Sequence, residues 1–397
     1  MSNARGVWQV PELRDDGDEH RPVGWVELFF DLVFVVIIAV LAGNLEAGGG
    51  LIAFLLQFMA VFWVWNAFTY YTERFESRGL ENRLFTFIGI LTVAGLAVWG
   101  RDGLGANYLG FAISYLLARS LNIALWLRAA AHVARFRRAA LGFTGGFVVA
   151  LLLLLISFFV SGAPREILWA VAVLIEITTP AVTGRFQAGL PLVSRDKFPE
   201  RFGLLTMIVL GETVSGIIRS VAAVNQARAL TPLTIVEAVL GLVIGFGMWW
   251  VYFDFVARRP SRQGIGQILI WIYLHLAMLA GIVIVGVALF EAVALRPVPT
   301  LPRSIQSLLF VGLGFTLVII ALIETTLDRA ADEPTHSIIS PVMKAATGVA
   351  LAVLAAIGVP LPTTVAFGIS VVALGIQAAY GARVYYRRQR TVSAKSL

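Results

Sequence analysis

The stretch VELFFDLVFVV, residues 26–36, carries two carboxylates in an otherwise apolar run. Glu27 and Asp31 are four apart, so a helix stacks them on one face, one turn above the other. Carboxylates placed in this way can hold a proton, meet a mobile cation or pair with a fixed one. Ionisable residues recur in comparable apolar settings at Arg119, Glu176, Glu212 and His275, with Asn66, Asn122 and Gln57 as uncharged companions. The sequence leaves two roles open for Arg119 and Glu176: an ion pair with each other that fixes helix packing, or chemistry on a passing solute. Asp31 has no cation close in its own helix, and Arg119 leads the candidates for its partner, ahead of Asn66 and Glu212. Glu27, Asp254 and Glu324 lie near the ends of their apolar runs, where lipid headgroups or loop arginines can meet them.

The elements that must position these groups are membrane helices. Of 397 residues, 58% are hydrophobic and 14% charged, with a mean hydropathy of +0.83. A soluble domain is nearer half apolar and a quarter charged, so the composition selects a membrane protein. Ionisable side chains within such spans cost a few kcal/mol each, and therefore face a bundle interior, a cavity or a partner. The net charge of +7 fits the Lys and Arg that collect in cytoplasmic loops, and no basic run is interleaved with exposed aromatics in a folded module, as nucleic-acid binding would need. With no cysteine, thiolate and disulfide chemistry is excluded, and the four histidines (His20, His132, His275, His336) form no metal-ligand spacing. Neither a metal nor a cofactor is expected. The polar opening, MSNARGVWQVPELRDDGDEHRP, reads as a cytoplasmic tail and not as a secretory signal.

Runs of about 20 apolar residues suffice to cross a bilayer, and twelve are legible: 24–43, 51–71, 84–100, 106–127, 140–161, 166–184, 203–221, 233–256, 267–291, 304–326, 341–359 and 362–384. The last boundary is open, because GVPLPTT serves equally as a tight hairpin or as a break in one long element. Placing the N-terminus in the cytoplasm puts 24 Lys and Arg inside and six outside, with Arg119 within a span. That asymmetry orients both termini to the cytoplasm. The aromatic groups Trp63, Trp65, Tyr70 and Tyr71, and Trp249, Trp250 and Tyr252, suit an interfacial belt, although Trp65 and Trp250 lie deep for one. Gly142/Gly146 and Gly241/Gly245 have the GxxxG spacing of closely packed helices.

An internal repeat organises the spans. ELFFDLVFVV opens the first and ERFGLLTMIVLGET (200–213) opens the seventh, matching Glu27 to Glu200 and Phe29 to Phe202. The expected domains are a cytoplasmic tail (1–22), a first six-helix repeat (23–200), a second (201–385) and a basic tail (386–397). Because six is even, the halves insert in the same orientation. The fold class is all-α, a polytopic helical bundle.

VELFFDLVFVV followed by ERFGLLTMIVLGETV resembles the bacterial low-temperature-requirement protein A family, over about residues 20 to 385. The resemblance implies a polytopic inner-membrane protein and transfers little chemistry. More distantly, FFDLVFVVIIAVL is similar to the Phe-Ser-Asp motif of lysosomal-type potassium channels, which also carry six-span repeats. Phe30 stands at the serine position, and Gly203–Leu204 stand where a Ser-Asp would, so the likeness extends to the scaffold and not to those hydroxyls. Three function classes follow. The leading one is a transporter or channel for a small solute or ion, its path between the two halves, with Asp31 and Glu212 meeting protons or cations and Glu27 at the cytoplasmic mouth. The others are a structural or stress-related membrane protein and a membrane-embedded enzyme acting on lipid; the last lacks a His/Asp metal cluster and GxSxG, so no enzyme is expected. Expected partners are the lipid bilayer and the small solute or ion, not nucleic acid; the oligomeric state is open.

Overall fold

A long apolar segment folds as a helix because its backbone N–H and C=O groups find no water in lipid and must bond within the segment. The computed structural model of the protein describes residues 9–13, 23–76, 79–187, 193–257, 259–295, 298–329 and 335–393. Its helices are α1 (Trp25–Glu46), α2 (Leu51–Arg74), α3 (Leu80–Trp99), α4 (Tyr108–His132), α5 (Arg137–Ile156), α6 (Ala163–Val182), α7 (Gly184–Gln187), α8 (Lys197–Ala227), α9 (Pro232–Tyr252), α10 (Ile265–Ala294), α11 (Arg303–Thr325), α12 (Ile339–Ile357) and α13 (Thr363–Ser393). Two short strands, β1 (Glu12–Leu13) and β2 (Phe75–Glu76), pair antiparallel. Most of the two expected tails, namely residues 1–8, 14–22 and 394–397, lies outside the described residues, as do the side chains of 386–393.

Among the described residues, eleven helices are long and apolar enough to cross a bilayer: α1 to α5 and α8 to α13. The protein is thus a polytopic membrane helix bundle. The sixth expected span is a helix of 20 residues, α6, but it carries three charged residues, Arg165, Glu166 and Glu176, and by composition does not qualify. The GVPLPTT question resolves as a turn: α12 stops at Ile357, Gly358 takes φ 69°, and α13 starts at Thr363. A left-handed φ at that cap is the conformation glycine adopts without a Cβ penalty.

The chain divides into two compact units, Met1–Arg201 with Gln263–Leu269, and Phe202–Arg262 with Ile270–Leu397. In the first unit α2 is the central helix. From Phe54 to Arg74 almost every side chain is buried, Trp63 and Trp65 among them, so those two indoles belong to a core and not to an interfacial belt. Helix α1 packs on α2 and α3, α4 on α3 and α5, and α6 on α5 and α2. Their outer faces are apolar and exposed, as at Phe29, Leu32 and Val36 of α1, Leu91 and Val98 of α3, and Leu174 of α6. Apolar surface of this kind suits lipid and would be a liability in water. Gly142 and Gly146 of α5 lie against Thr183 and Thr179 at the end of α6, so the GxxxG spacing does mark a close approach.

In the second unit α11 lies along α12, and α9 along α13. Backbone meets backbone where Gly314 of α11 faces Gly348 of α12: a Cβ on either would strike the other's carbonyl oxygen. Gly241 of α9 sits against Ile217 of α8. The outward faces are again apolar, with Val239 and Phe246 on α9, Val349 and Val353 on α12, and Val372 and Ile376 on α13.

Candidate functional site

Two helix starts, both in the first unit, build the site. Helix α1 begins after Gly24, and Glu27, its third residue, reaches back so that its Oε2 accepts from the Gly24 N–H at 2.9 Å. That contact satisfies one of the donors orphaned at a helix start. Helix α8 begins six residues before the expected span. Ser194 Oγ accepts from the N–H groups of Asp196 (3.3 Å) and Lys197 (3.1 Å), and Pro199 stands in the first turn. A serine turn just ahead of the helix and a proline in its first turn are start signals, and they bring Lys197 and Arg201 inside the helix.

The two starts match rung for rung. Lys197 Nζ donates to Glu27 Oε1 at 2.8 Å, and Arg201 Nη2 donates to Asp31 Oδ1 at 2.5 Å while its Nε reaches Asp31 Oδ2 at 3.3 Å. Each helix spaces its charges by four, so the stacked carboxylates of α1 answer stacked cations on α8. Because 27 meets 197 and 31 meets 201, the two helix starts run parallel. Helix α2 closes the site: Trp65 Nε1 donates to Asp31 Oδ1 at 2.7 Å, Thr72 Oγ1 accepts from Arg201 Nη1 at 3.0 Å, and Glu73 lies 3.2 Å from Lys197 Nζ. Asp31 and Arg201 are each 1% exposed, whereas the Glu27 side chain is 19% exposed. The rungs therefore grade from a solvent-reached pair to an enclosed one.

Asp31 faces the protein interior, as the sequence requires, and the opposite face of α1 is open at Phe29 and Val36 and half-buried at Val33. Its partner differs from the expected one. Arg119 does not meet Asp31; its Nε donates to Glu176 Oε1 at 2.8 Å, and Tyr115 donates its O–H to Glu176 Oε2 at 2.5 Å. The physical reason is register: α4 carries Tyr115 and Arg119 one turn apart, and α6 brings Glu176 to both within the buried core. In the sequence Arg201 reads as one more loop cation. The signal that finds it is spacing, since Lys197/Arg201 repeats the interval of Glu27/Asp31.

The remaining candidates are placed elsewhere. Asn66 is buried beside Trp65 on α2, and its Oδ1 has no hydrogen-bond partner. In the second unit, Glu212 accepts from Arg219 Nη2 two turns along α8 at 2.7 Å, a pair whose arginine side chain is 42% exposed. His275 is a core residue: its Nδ1 lies 2.8 Å from the Trp271 carbonyl, its Nε2 3.2 Å from the Tyr252 hydroxyl, and its ring 3.9 Å from that of Trp271. A second charge cluster gathers on Glu324, which the sequence places at the end of its apolar run within reach of a loop arginine; the lysine and serine that join it carry no signal in the sequence. Glu324 accepts from Arg259 Nη1 at 3.3 Å, and from Ser340 Oγ and Lys344 Nζ at 3.0 Å each, with the ammonium 3.5 Å from the Phe255 ring centre.

Buried charge at this density is costly in lipid unless paired, and in a membrane protein it marks packing devices or pathways for polar solutes. The family model described as bacterial low temperature requirement A protein (LtrA) matches residues 22–379. A protein of Rhizobium meliloti (strain 1021), named as uncharacterized, is 27% identical over 306 residues, covering 69% of this chain and 70% of its own length. No solved structure matches the chain.

Proposed function

This chain belongs to the bacterial low temperature requirement A protein (LtrA) family, and we propose that it is an inner-membrane transporter or channel for a small solute or ion, working through its intramembrane carboxylates. The observation that supports this most is the gradation of the α1–α8 ladder. Glu27 is within reach of water and Asp31 is one turn deeper, so a solute entering beside Glu27 meets a second charge pair before it meets hydrocarbon. Lys197, held by Glu27 at 2.8 Å and by Glu73 at 3.2 Å, can shift between two carboxylates without losing its charge partner. That gives the outer rung a second arrangement at low cost.

Purified protein in liposomes tests it. Wild-type protein should raise the flux of at least one of K⁺, Na⁺, H⁺ or Cl⁻ above protein-free vesicles, and Glu27→Gln, which keeps shape and the backbone cap, should change the rate without unfolding the protein. Absence of flux for all of these, with the protein correctly folded, favours the alternative that the ladder is purely a clamp. That alternative has its own support, since both Glu27 and Asp31 already hold a cation.

The same reading takes twelve spans with both termini cytoplasmic. Five apolar helices precede α8, which would start it on the side opposite to α1, yet the parallel ladder starts them on the same side. Helix α6 supplies the missing crossing. The six-helix repeat is supported by matching pairs: counting within each half and omitting α7, the second helix packs on the sixth and the fourth on the fifth, as α2 on α6 with α4 on α5, and α9 on α13 with α11 on α12. Alkaline phosphatase fused after Gly162 should be active, and fused after Phe186 or after residue 390 inactive. Activity at Phe186 equal to that at Gly162 would remove α6 from the membrane.

A further inference from the structure

The ion pair between α4 and α6 leaves most of its arginine unused. Arg119 gives only Nε to Glu176, and both of its terminal nitrogens, Nη1 and Nη2, are buried without a hydrogen-bond partner, on a residue 0% exposed. The guanidinium lies 4.2 Å from the Phe147 ring centre of α5, which contributes dispersion and ring charge but accepts no full hydrogen bond. Four N–H bonds without acceptors in a low-dielectric core are among the most costly arrangements a fold can hold.

They are not isolated. Asn122 Oδ1, on the same face of α4 one turn on, is buried and unpartnered; so are Thr144 Oγ1, one turn before Phe147 on α5, Trp126 Nε1 on α4 and Trp169 Nε1 on α6. Residues 115, 119, 122 and 126 follow one stripe of α4, spanning about 16 Å. Ring contacts tie the ends to this stripe. Trp169 lies 5.3 Å from Tyr115, the residue that bonds Glu176, and Trp126 lies 4.7 Å from Phe143, the neighbour of Thr144 in sequence. The residues that carry orphaned polar atoms thus form a string along the stripe of α4 and the α5 and α6 side chains packed beside it, with Arg119 among them.

We infer that this string is a hydrated track, in which a chain of internal water molecules anchored on the free fork of Arg119 bridges Asn122 and Thr144 and extends toward the indole nitrogens of Trp126 and Trp169. Buried water is what ordinarily satisfies such groups, each molecule making about three hydrogen bonds. Water fits better than a small anion, because Glu176 already neutralises Arg119 and an added anion would leave net charge deep in the bundle. A metal cation fits worse still, since the unpartnered side of the fork is positive. The track therefore takes water and comparably small uncharged hydrogen-bonding molecules. It rests on the geometry of the first unit and stands whether or not the protein transports ions.

Radiolytic hydroxyl-radical footprinting of the full-length protein in nanodiscs, read by mass spectrometry, tests it, because internal water generates radicals in place beside side chains that bulk solvent does not reach. Trp126 and Trp169 should be labelled several-fold faster than Trp63, which is equally buried but has no orphaned nitrogen. Thr144→Val, which keeps the shape and removes the hydroxyl, should fold normally and lower labelling at Trp126. Equal labelling of the three tryptophans would overturn the track, and so would labelling at Trp126 that is unchanged in Thr144→Val. Labelling that falls when chloride replaces gluconate would assign the site to an anion and overturn the water assignment. Flux in liposomes is a separate measurement, so loss of the transport reading leaves this result intact.

Discussion

Asp31→Leu should destabilise the protein by about 3–5 kcal/mol, the cost of leaving Arg201 buried without its counter-charge. Both side chains are 1% exposed, so neither water nor salt can stand in for the missing partner. The double variant Asp31→Leu/Arg201→Met should recover most of that loss, because two apolar side chains of similar volume can replace a buried pair at little cost. Unfolding in mixed micelles, read as a cycle of the four proteins, measures the coupling between the two residues. If Asp31→Leu alone unfolds no more readily than wild type, the deep rung does not hold the first unit together. Glu27→Gln should have a much smaller effect, since its rung is partly exposed and exposed pairs contribute at most about 1 kcal/mol. The contrast between the two rungs is what separates a structural clamp from a general sensitivity of α1.

The second large effect is expected on topology. In the proposed topology helix α6 crosses the membrane with Glu176 inside the span, and a lone acidic residue there costs about 2.5–3.5 kcal/mol on insertion scales. Arg119 removes that cost by meeting the carboxylate at 2.8 Å inside the bundle. Arg119→Met should therefore lower the membrane-inserted fraction of α6 by roughly 100-fold relative to wild type, at 1.4 kcal/mol per tenfold. The phosphatase fusion after Phe186 would then gain activity. Arg119→Met/Glu176→Leu should restore the wild-type pattern, because the lone charge is gone. An unchanged reporter in the single variant would show that α6 inserts without help from its partner.

How far the sequence reaches is set by what each feature depends on. The spans were legible because lipid imposes length and apolarity on each helix separately, so 51–71 and α2 nearly coincide. The inward face of α1 was legible for the same reason: a carboxylate has nowhere else to go. Partners were not, because pairing depends on which helices become neighbours. By sequence Lys197, Arg201 and Lys344 read as cations on the cytoplasmic side, yet all three are buried in ion pairs. Apolarity alone starts the seventh span at 203, while the turn held by Ser194 starts the helix at 197, and the site lies in that difference. Arg119 and Glu176 were visible as a pair; the orphaned fork of Arg119 was not, since it is a matter of orientation.

The α1–α8 ladder also sets a clock on biosynthesis. Both rungs join residues 170 apart in the chain. At about 5–20 residues per second, the ribosome delivers Lys197 and Arg201 roughly 10–30 s after Glu27 and Asp31. Through that interval α1 has entered the translocation machinery with its deeper acid still unmatched, so the nascent first unit cannot close on itself. Its last fastening arrives with the opening residues of α8, and a ribosome stalled before residue 197 leaves behind a fragment that the membrane quality-control proteases should recognise as unfinished.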